Sequence, residues 1–263
     1  MSDDLIFRID GAIATIRLNR PDTRNAFTVE MVDEWVAALN ECRDDDRIHA
    51  IVLTGTGDKA FCSGGDVTRM RDPRDAEAVA RKSKLFDHVL RIPLTLETID
   101  KPYIVAVNGA ATGAGMDMAL MGDIRFAAAS ARFGETYVKV GLVPGDGGAY
   151  YLPRLVGLPK ALELLWTGDL IDADEALRLG IVNRVVPDVE LMDQTYAFAE
   201  RLVAGPTLAI RMTKRMVYQS ATMELRSALD LSSSHLAVVA TSDDHKEAVR
   251  AFAEKRKPVF HGR

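Results

Sequence analysis

The run Tyr103-Ile-Val-Ala-Val107-Asn108-Gly109-Ala-Ala-Thr112-Gly113-Ala114-Gly115-Met-Asp117-Met-Ala-Leu-Met121 is apolar over most of its length, and its Gly109-x-x-x-Gly113 spacing mimics a membrane helix-packing motif. Asn108 and Asp117 sit inside it, however, and three glycines crowd its centre. Polar groups of that kind are costly inside a bilayer. A buried strand over Tyr103–Val107, a glycine turn and a buried helix over Gly113–Met121 explain the run better than a membrane span. The same order recurs upstream. Ile51-Val52-Leu53 reads as a short buried strand, and a glycine-rich loop from Gly55 to Gly65 follows it. Ile124–Ala127 reads as a third strand. Strands that alternate with helices in this way imply a mostly parallel sheet under helices, an α/β fold.

Outward from this centre the elements are simpler. Leu5-Ile6-Phe7 and Ile13–Leu18 read as strands joined by a hairpin turn at Asp10-Gly11. Thr28 is placed to cap a helix that carries Met31, Val32, Trp35, Val36 and Leu39 on one face. A polar helix of about two dozen residues is expected from Asp72 to Thr98, interrupted near Pro93. Beyond Pro144, helices are expected at Gly147–Leu155, Pro159–Trp166 and Asp172–Leu179, with Asp172 as cap and Gly180 as stop. Val182–Val186 reads as a last strand. From about Leu191 the chain is nearly all helical, through Arg211–Gln219, Met223–Ala240 and Asp243–Glu254. Two regions follow, a core over 1–190 and a helical region over 191–263.

The 263 residues suit one large domain or a domain with an appendage. Hydrophobic residues make up 48% and charged ones 27%, ordinary for a globular chain. The formal net charge of −5 argues against nucleic acid or an anionic membrane surface as partner. Two cysteines, Cys42 and Cys62, exclude a disulfide framework and point to a reducing compartment. The acidic start Met1-Ser2-Asp3-Asp4 lacks the order of a signal peptide, so a cytoplasmic location is expected. The five histidines show no metal-ligand spacing, and no Walker A, dinucleotide or nucleophile-elbow pattern is convincing.

The two glycine turns carry the chemical signal. Phe61-Cys62-Ser63-Gly64-Gly65-Asp66 and Thr112-Gly113-Ala114-Gly115 each let a ligand reach main-chain N–H groups. Two convergent N–H groups make an oxyanion hole. Tight turns where backbones pack closely would use glycine in the same way. Asp117, one helical turn after Ala114, lies among Met116, Met118, Ala119 and Leu120, and a carboxylate in such a setting has either a partner or a job. Cys62 reads as a small packing residue.

Together with Asn19-Arg20-Pro21, Arg24-Asn25-Ala26, Asn108-Gly109, Asp123-Ile124, Gly141-Leu-Val-Pro144, Gly147-Gly148, Leu152-Pro153-Arg154, Thr167-Gly168 and Glu254-Lys-Arg-Lys-Pro258, these motifs recur in an order that resembles the enoyl-CoA hydratase/isomerase superfamily, the crotonases. The resemblance runs from the first strand to the C-terminal tail. It implies a crotonase-like ββα spiral core, a helical trimerisation region, and a homotrimer or dimer of trimers. It also implies an acyl-CoA thioester substrate whose coenzyme A belongs to the substrate, with no separate cofactor and no metal. On the family's pattern the oxyanion donors are the N–H groups of Gly65 and Ala114, and Ser63, Gly64 and Asp66 beside them are expected to bind the substrate. Arg24 and Ala26 match a segment that meets the nucleotide part of CoA, and Lys257 and Phe260 match tail residues that reach the CoA of a neighbouring subunit. The two glutamates usual in hydratases map to Asp117 and Tyr137, and a phenol is a poor base at neutral pH. Asp146 stands close to where some relatives place another acid, and an ordinary turn carboxylate is the alternative. Glu135 is expected to face elsewhere. The implied activity is enoyl-CoA hydration or double-bond isomerisation, with C–C or thioester hydrolysis, or a non-catalytic CoA- or RNA-binding homologue, as alternatives.

Overall fold

The computed structural model describes residues 2–66, 82 and 85–262. Strands β1 (Leu5–Asp10) and β2 (Ile13–Leu18) pair antiparallel with Asp10 opposite Ile13, so the turn residues are Gly11-Ala12, one later than expected. Then come β3 (Ala50–Gly55), β4 (Ala60–Cys62), β5 (Tyr103–Val107), β6 (Ala110–Thr112), β7 (Ile124–Ala128), β8 (Arg132–Gly134), β9 (Ile171–Asp172) and β10 (Arg184–Val186). They build one sheet in the order β1-β2-β3-β5-β7-β10 and a second in the order β4-β6-β8-β9. Strands β3, β5 and β7 are parallel in the first, and β4, β6 and β8 are parallel in the second. Each successive strand pair therefore adds one strand to each sheet, which is a spiral. The segments expected as plain glycine loops each contain a short strand of the smaller sheet.

Alternation within the strands explains the layers. Ile51 and Leu53 face a core shared with Met31, Val32, Trp35 and Leu39 of helix α1 (Val29–Asp44). Thr28 caps α1 by accepting the Met31 N–H at 3.2 Å. Ala50 and Val52, with Ile104, Ala106 and Phe126, face the other side of the sheet. Helix α2 (Arg91–Glu97) precedes β5, and the break expected near Pro93 falls at Leu90, leaving Pro93 in the first turn, where it is tolerated. The rest of the polar helix expected from Asp72 to Thr98 lies largely outside the described residues. Helix α3 (Ala114–Leu120) is buried at every position and connects β6 to β7.

Helices α4 (Gly148–Val156), α5 (Leu158–Thr167) and α6 (Ala173–Arg178) match the expected ones within two residues, and Asp172 Oδ1 accepts the Glu175 N–H at 2.8 Å. Helix α7 (Leu191–Val203) buries Leu191 and Ala199 on the outer face of the large sheet, so the first helix of the 191–263 region completes the core of the preceding one. Helices α8 (Thr207–Ser220), α9 (Leu225–Ala240) and α10 (Asp243–Ala253) follow. Among the described residues no helix is long and apolar enough to cross a membrane.

Candidate active site

The two glycine turns meet where α3 starts. Gly64 has φ +100° and Gly113 φ +53°, backbone angles open chiefly to glycine, and each directly precedes a candidate donor, Gly65 and Ala114. A Cβ on Gly64 would stand 3.4 Å from the Ala114 nitrogen, so the turns touch. Neither the Gly65 nor the Ala114 N–H donates a hydrogen bond among the described residues, whereas neighbouring amides do: Asp66 N–H to Phe27 O and Gly113 N–H to Gly134 O. Gly115 permits the contact. A Cβ there would lie 2.0 Å from the Cys62 carbonyl oxygen.

The segment 20–26 braces the first turn from outside. Asn25 is fully buried; its Oδ1 accepts the Arg20 N–H at 3.0 Å, and its Nδ2 donates to Thr56 O at 3.0 Å and Ala60 O at 2.8 Å. The Ser63 N–H donates to Arg24 O at 3.1 Å. Arg24 itself is exposed, while Ala26 is buried with its carbonyl held by Arg20 Nη1. Asp66 forms an ion pair with Arg20 at 2.9 Å. Cys62 donates its thiol to Asn25 O at 3.2 Å, and burial pushes that thiol up to about 12, so it packs and does not attack.

Asp117 sits in the first turn of α3 and is fully buried. Tyr137 arrives on a 3-10 turn, Thr136–Val140, that follows β8; Asp146 comes from the loop before α4. Tyr137 Oη lies 2.6 Å from Asp117 Oδ2 and 3.1 Å from Asp146 Oδ2. One hydroxyl carries one proton, so it serves Asp117, the nearer acceptor. The Asp146 N–H also donates to Asp117 Oδ2 at 3.3 Å. Burial raises the Asp117 carboxyl above its ordinary value, against the Tyr137 hydrogen bond, which lowers it. Burial, then the Asp117 charge, pushes Asp146 up to about 6. The Tyr137 phenol is driven far upward by burial and by both carboxylates, so it stays protonated as a donor.

One member of this cluster escapes the sequence reading. Glu135 is fully buried beside Asp117. The chain turns at Glu135 (φ −83°, ψ 71°) from β8 into the 3-10 turn, which brings both Glu135 and Tyr137 inward. Even in an extended segment, residues two apart share a face, so the spacing to Tyr137 was the signal that could have placed it. Burial, then the charges of Asp117 and Asp146, pushes Glu135 up to about 10. Among the described residues no set of His, Cys, Asp and Glu is arranged to hold a metal ion.

Asp117, Tyr137, Asp146, Ala114 and Gly65 thus come together, with Ser63, Gly64 and Asp66 in the adjoining turn. Lys257 and Phe260 do not join them. The tail is tied to α10, where His261 and Gly262 N–H groups donate to Asp244, and a Cβ on Gly262 would lie 3.8 Å from His49, just before β3. The tail's described hydrogen bonds go to Glu247 and Asp244 of α10 and not to the Gly65 or Ala114 turns.

The arrangement can be set beside known proteins. The family profile described as enoyl-CoA hydratase/isomerase matches residues 8–263. The chain is 35% identical to the short-chain-enoyl-CoA hydratase of Clostridium acetobutylicum, over 97% of this chain and 96% of that one. It is 34% identical to the 1,2-epoxyphenylacetyl-CoA isomerase of Escherichia coli over the whole of both. The crystal structure of an enoyl-CoA hydratase from Bacillus anthracis superimposes with a TM-score of 0.93 at 29% identity, covering 99% of this chain and 100% of that one.

Proposed function

Because the chain belongs to the enoyl-CoA hydratase/isomerase family, in which it is an acyl-CoA hydratase/isomerase of the crotonase type, we propose that its Gly65 and Ala114 N–H groups hold a thioester enolate while Asp117 moves the proton. These two amides, which donate to none of the described residues, support the first part. Their stabilisation of a developing oxyanion is the largest expected contribution, about 3 kcal/mol for one such donor. Asp117 takes a proton from a carbon next to the enolate system, the C–H electron pair passes into the enolate, and the same carboxyl returns the proton to another carbon.

The observation that favours one activity over the other is the 2.6 Å contact from Tyr137 to Asp117. A phenol in the place of the second hydratase carboxylate donates to the base and cannot share in activating water. Double-bond isomerisation by one carboxyl therefore fits best. Hydration is the second reading, favoured by Asp146, whose Oδ1 has no hydrogen-bond partner and could hold a water. Product analysis on crotonyl-CoA and on a 3-enoyl-CoA, side by side, tests the choice. Tyr137→Phe is expected to keep isomerase turnover within roughly tenfold, since the phenol only tunes the base. A loss of several orders of magnitude, with hydration as the main wild-type activity, would reverse the choice.

Arg24 and Ala26 are assigned to the nucleotide part of CoA, and Lys257 and Phe260 to the CoA of a neighbouring subunit. The attachment of the tail to α10 rather than to the Gly65 turn supports the latter. The proposed assembly is a homotrimer or dimer of trimers. Helix α9 buries none of its residues, and Leu225, Leu229, Leu236 and Phe252 are between 59% and 88% exposed. Apolar surface on this scale marks an interface. Sedimentation at micromolar concentration should give three or six protomers; an active monomer alone would refute it. No cofactor beyond the substrate's CoA is needed, and two buried free thiols suit a reducing, cytoplasmic setting.

A further inference from the structure

Both carboxyl oxygens of the buried Glu135 lack a hydrogen-bond partner, and Asp117 Oδ1 has no side-chain donor. The two groups converge. A Cβ on Gly148, the first residue of α4, would stand 2.7 Å from Glu135 Oε1 and 2.3 Å from Asp117 Oδ1. Residue 148 has no side chain to part them. The other Asp117 oxygen is already engaged by Tyr137 and the Asp146 N–H. The groups that face the pair are Tyr137 and Asp146, with Tyr151 of α4 at longer range. No described basic side chain forms an ion pair with either carboxyl. Two carboxylates cannot both stay ionised this close together in a buried site.

We propose that Glu135 and Asp117 share one proton, with Glu135 the positioning residue that holds it against Asp117 Oδ1. The proposal rests on the reading of Asp117 as the proton carrier. The pair then starts with a single negative charge instead of two. When the substrate C–H bond breaks, its proton joins the pair and its electrons enter the enolate, leaving the pair neutral with two protons. Returning one proton to a second carbon restores the start. The same accounting serves an addition of water. The strong upward push on the Glu135 carboxyl, caused by burial and then by the Asp117 charge, agrees with this placement.

Infrared spectroscopy of the wild-type protein at pH 8 tests the shared proton directly. A protonated-carboxyl C=O band is expected, and Glu135→Gln should remove it. Absence of that band in the folded wild-type protein overturns the proposal, whether or not any variant folds. The pH profile of kcat/KM supplies the second test. Glu135→Gln should move the acid limb to higher pH by about one unit, because an amide N–H is a weaker donor to Asp117 than a carboxyl O–H. Affinity for acetoacetyl-CoA should change by less than about twofold, since the oxyanion amides are untouched. A variant profile that superimposes on the wild type also overturns it. If acetoacetyl-CoA does not bind the wild-type protein, the functional reading fails while the infrared band still reports on the proton.

Discussion

Asp117→Asn is expected to lower turnover by ~10²–10⁴-fold or more, the usual worth of a positioned acid–base group. The substitution preserves volume and leaves an amide that can still accept from Tyr137. It removes the lone pair that takes the proton. Binding of acetoacetyl-CoA, a mimic of the enolate, should survive, because the Gly65 and Ala114 N–H groups remain in place. Steady-state kinetics with a parallel titration separate the two effects. If Asp117 only caps buried backbone, Asn should instead lower thermal stability and leave most activity. A stable, CoA-binding and fully active Asp117→Asn protein would remove the assignment and transfer the role to Asp146, the other carboxyl on Tyr137.

Gly115→Ala should be nearly as damaging, from a site that never touches substrate. Its Cβ would fall 2.0 Å from the Cys62 carbonyl oxygen and 2.5 Å from the Cys62 carbonyl carbon. Both are backbone atoms of a buried strand, so α3 must back away from β4. Overpacking of this kind typically costs about 1–3 kcal/mol, and backbone obstacles put it at the upper end. The same movement separates Gly65 from Ala114, and losing one oxyanion donor is worth ~10²–10³-fold in turnover. Acetoacetyl-CoA affinity should fall together with kcat, unlike the Asp117→Asn case. A Gly115→Ala protein with wild-type stability and affinity would show that the turns do not depend on this contact.

The carboxyl cluster also carries a cost that pH exposes. Asp146 rises from an ordinary 3.8 to about 6 and Glu135 from 4.5 to about 10. Across each window the folded chain binds more protons than the unfolded one, so these groups subtract stability as pH rises. Burial without a basic partner is thus unfavourable for folding and is retained where a proton must be handled.

Much of the fold is legible in the chain because it is written at short range. The apolar face Met31, Val32, Trp35, Leu39 and the cap at Thr28 need only a helical period and one hydroxyl. The same holds for the runs at β3, β5 and β7, of which β3 and β5 are buried on both faces. The glycine turns and Asp117 are readable because a left-handed angle and a charge among methionines are local anomalies. Strands β4 and β6 are different. Three residues show no period, and Ala60–Cys62 or Ala110–Thr112 become strands only through pairing with a neighbour from another turn of the spiral. Glu135 is different again: its side chain turns inward because β8 gives way to a 3-10 turn, and its altered acidity arises from burial and from Asp117, which is distant along the chain. Proton affinity in a buried cluster depends on distances between charges and on exclusion of water, and neither exists until the strands have stacked.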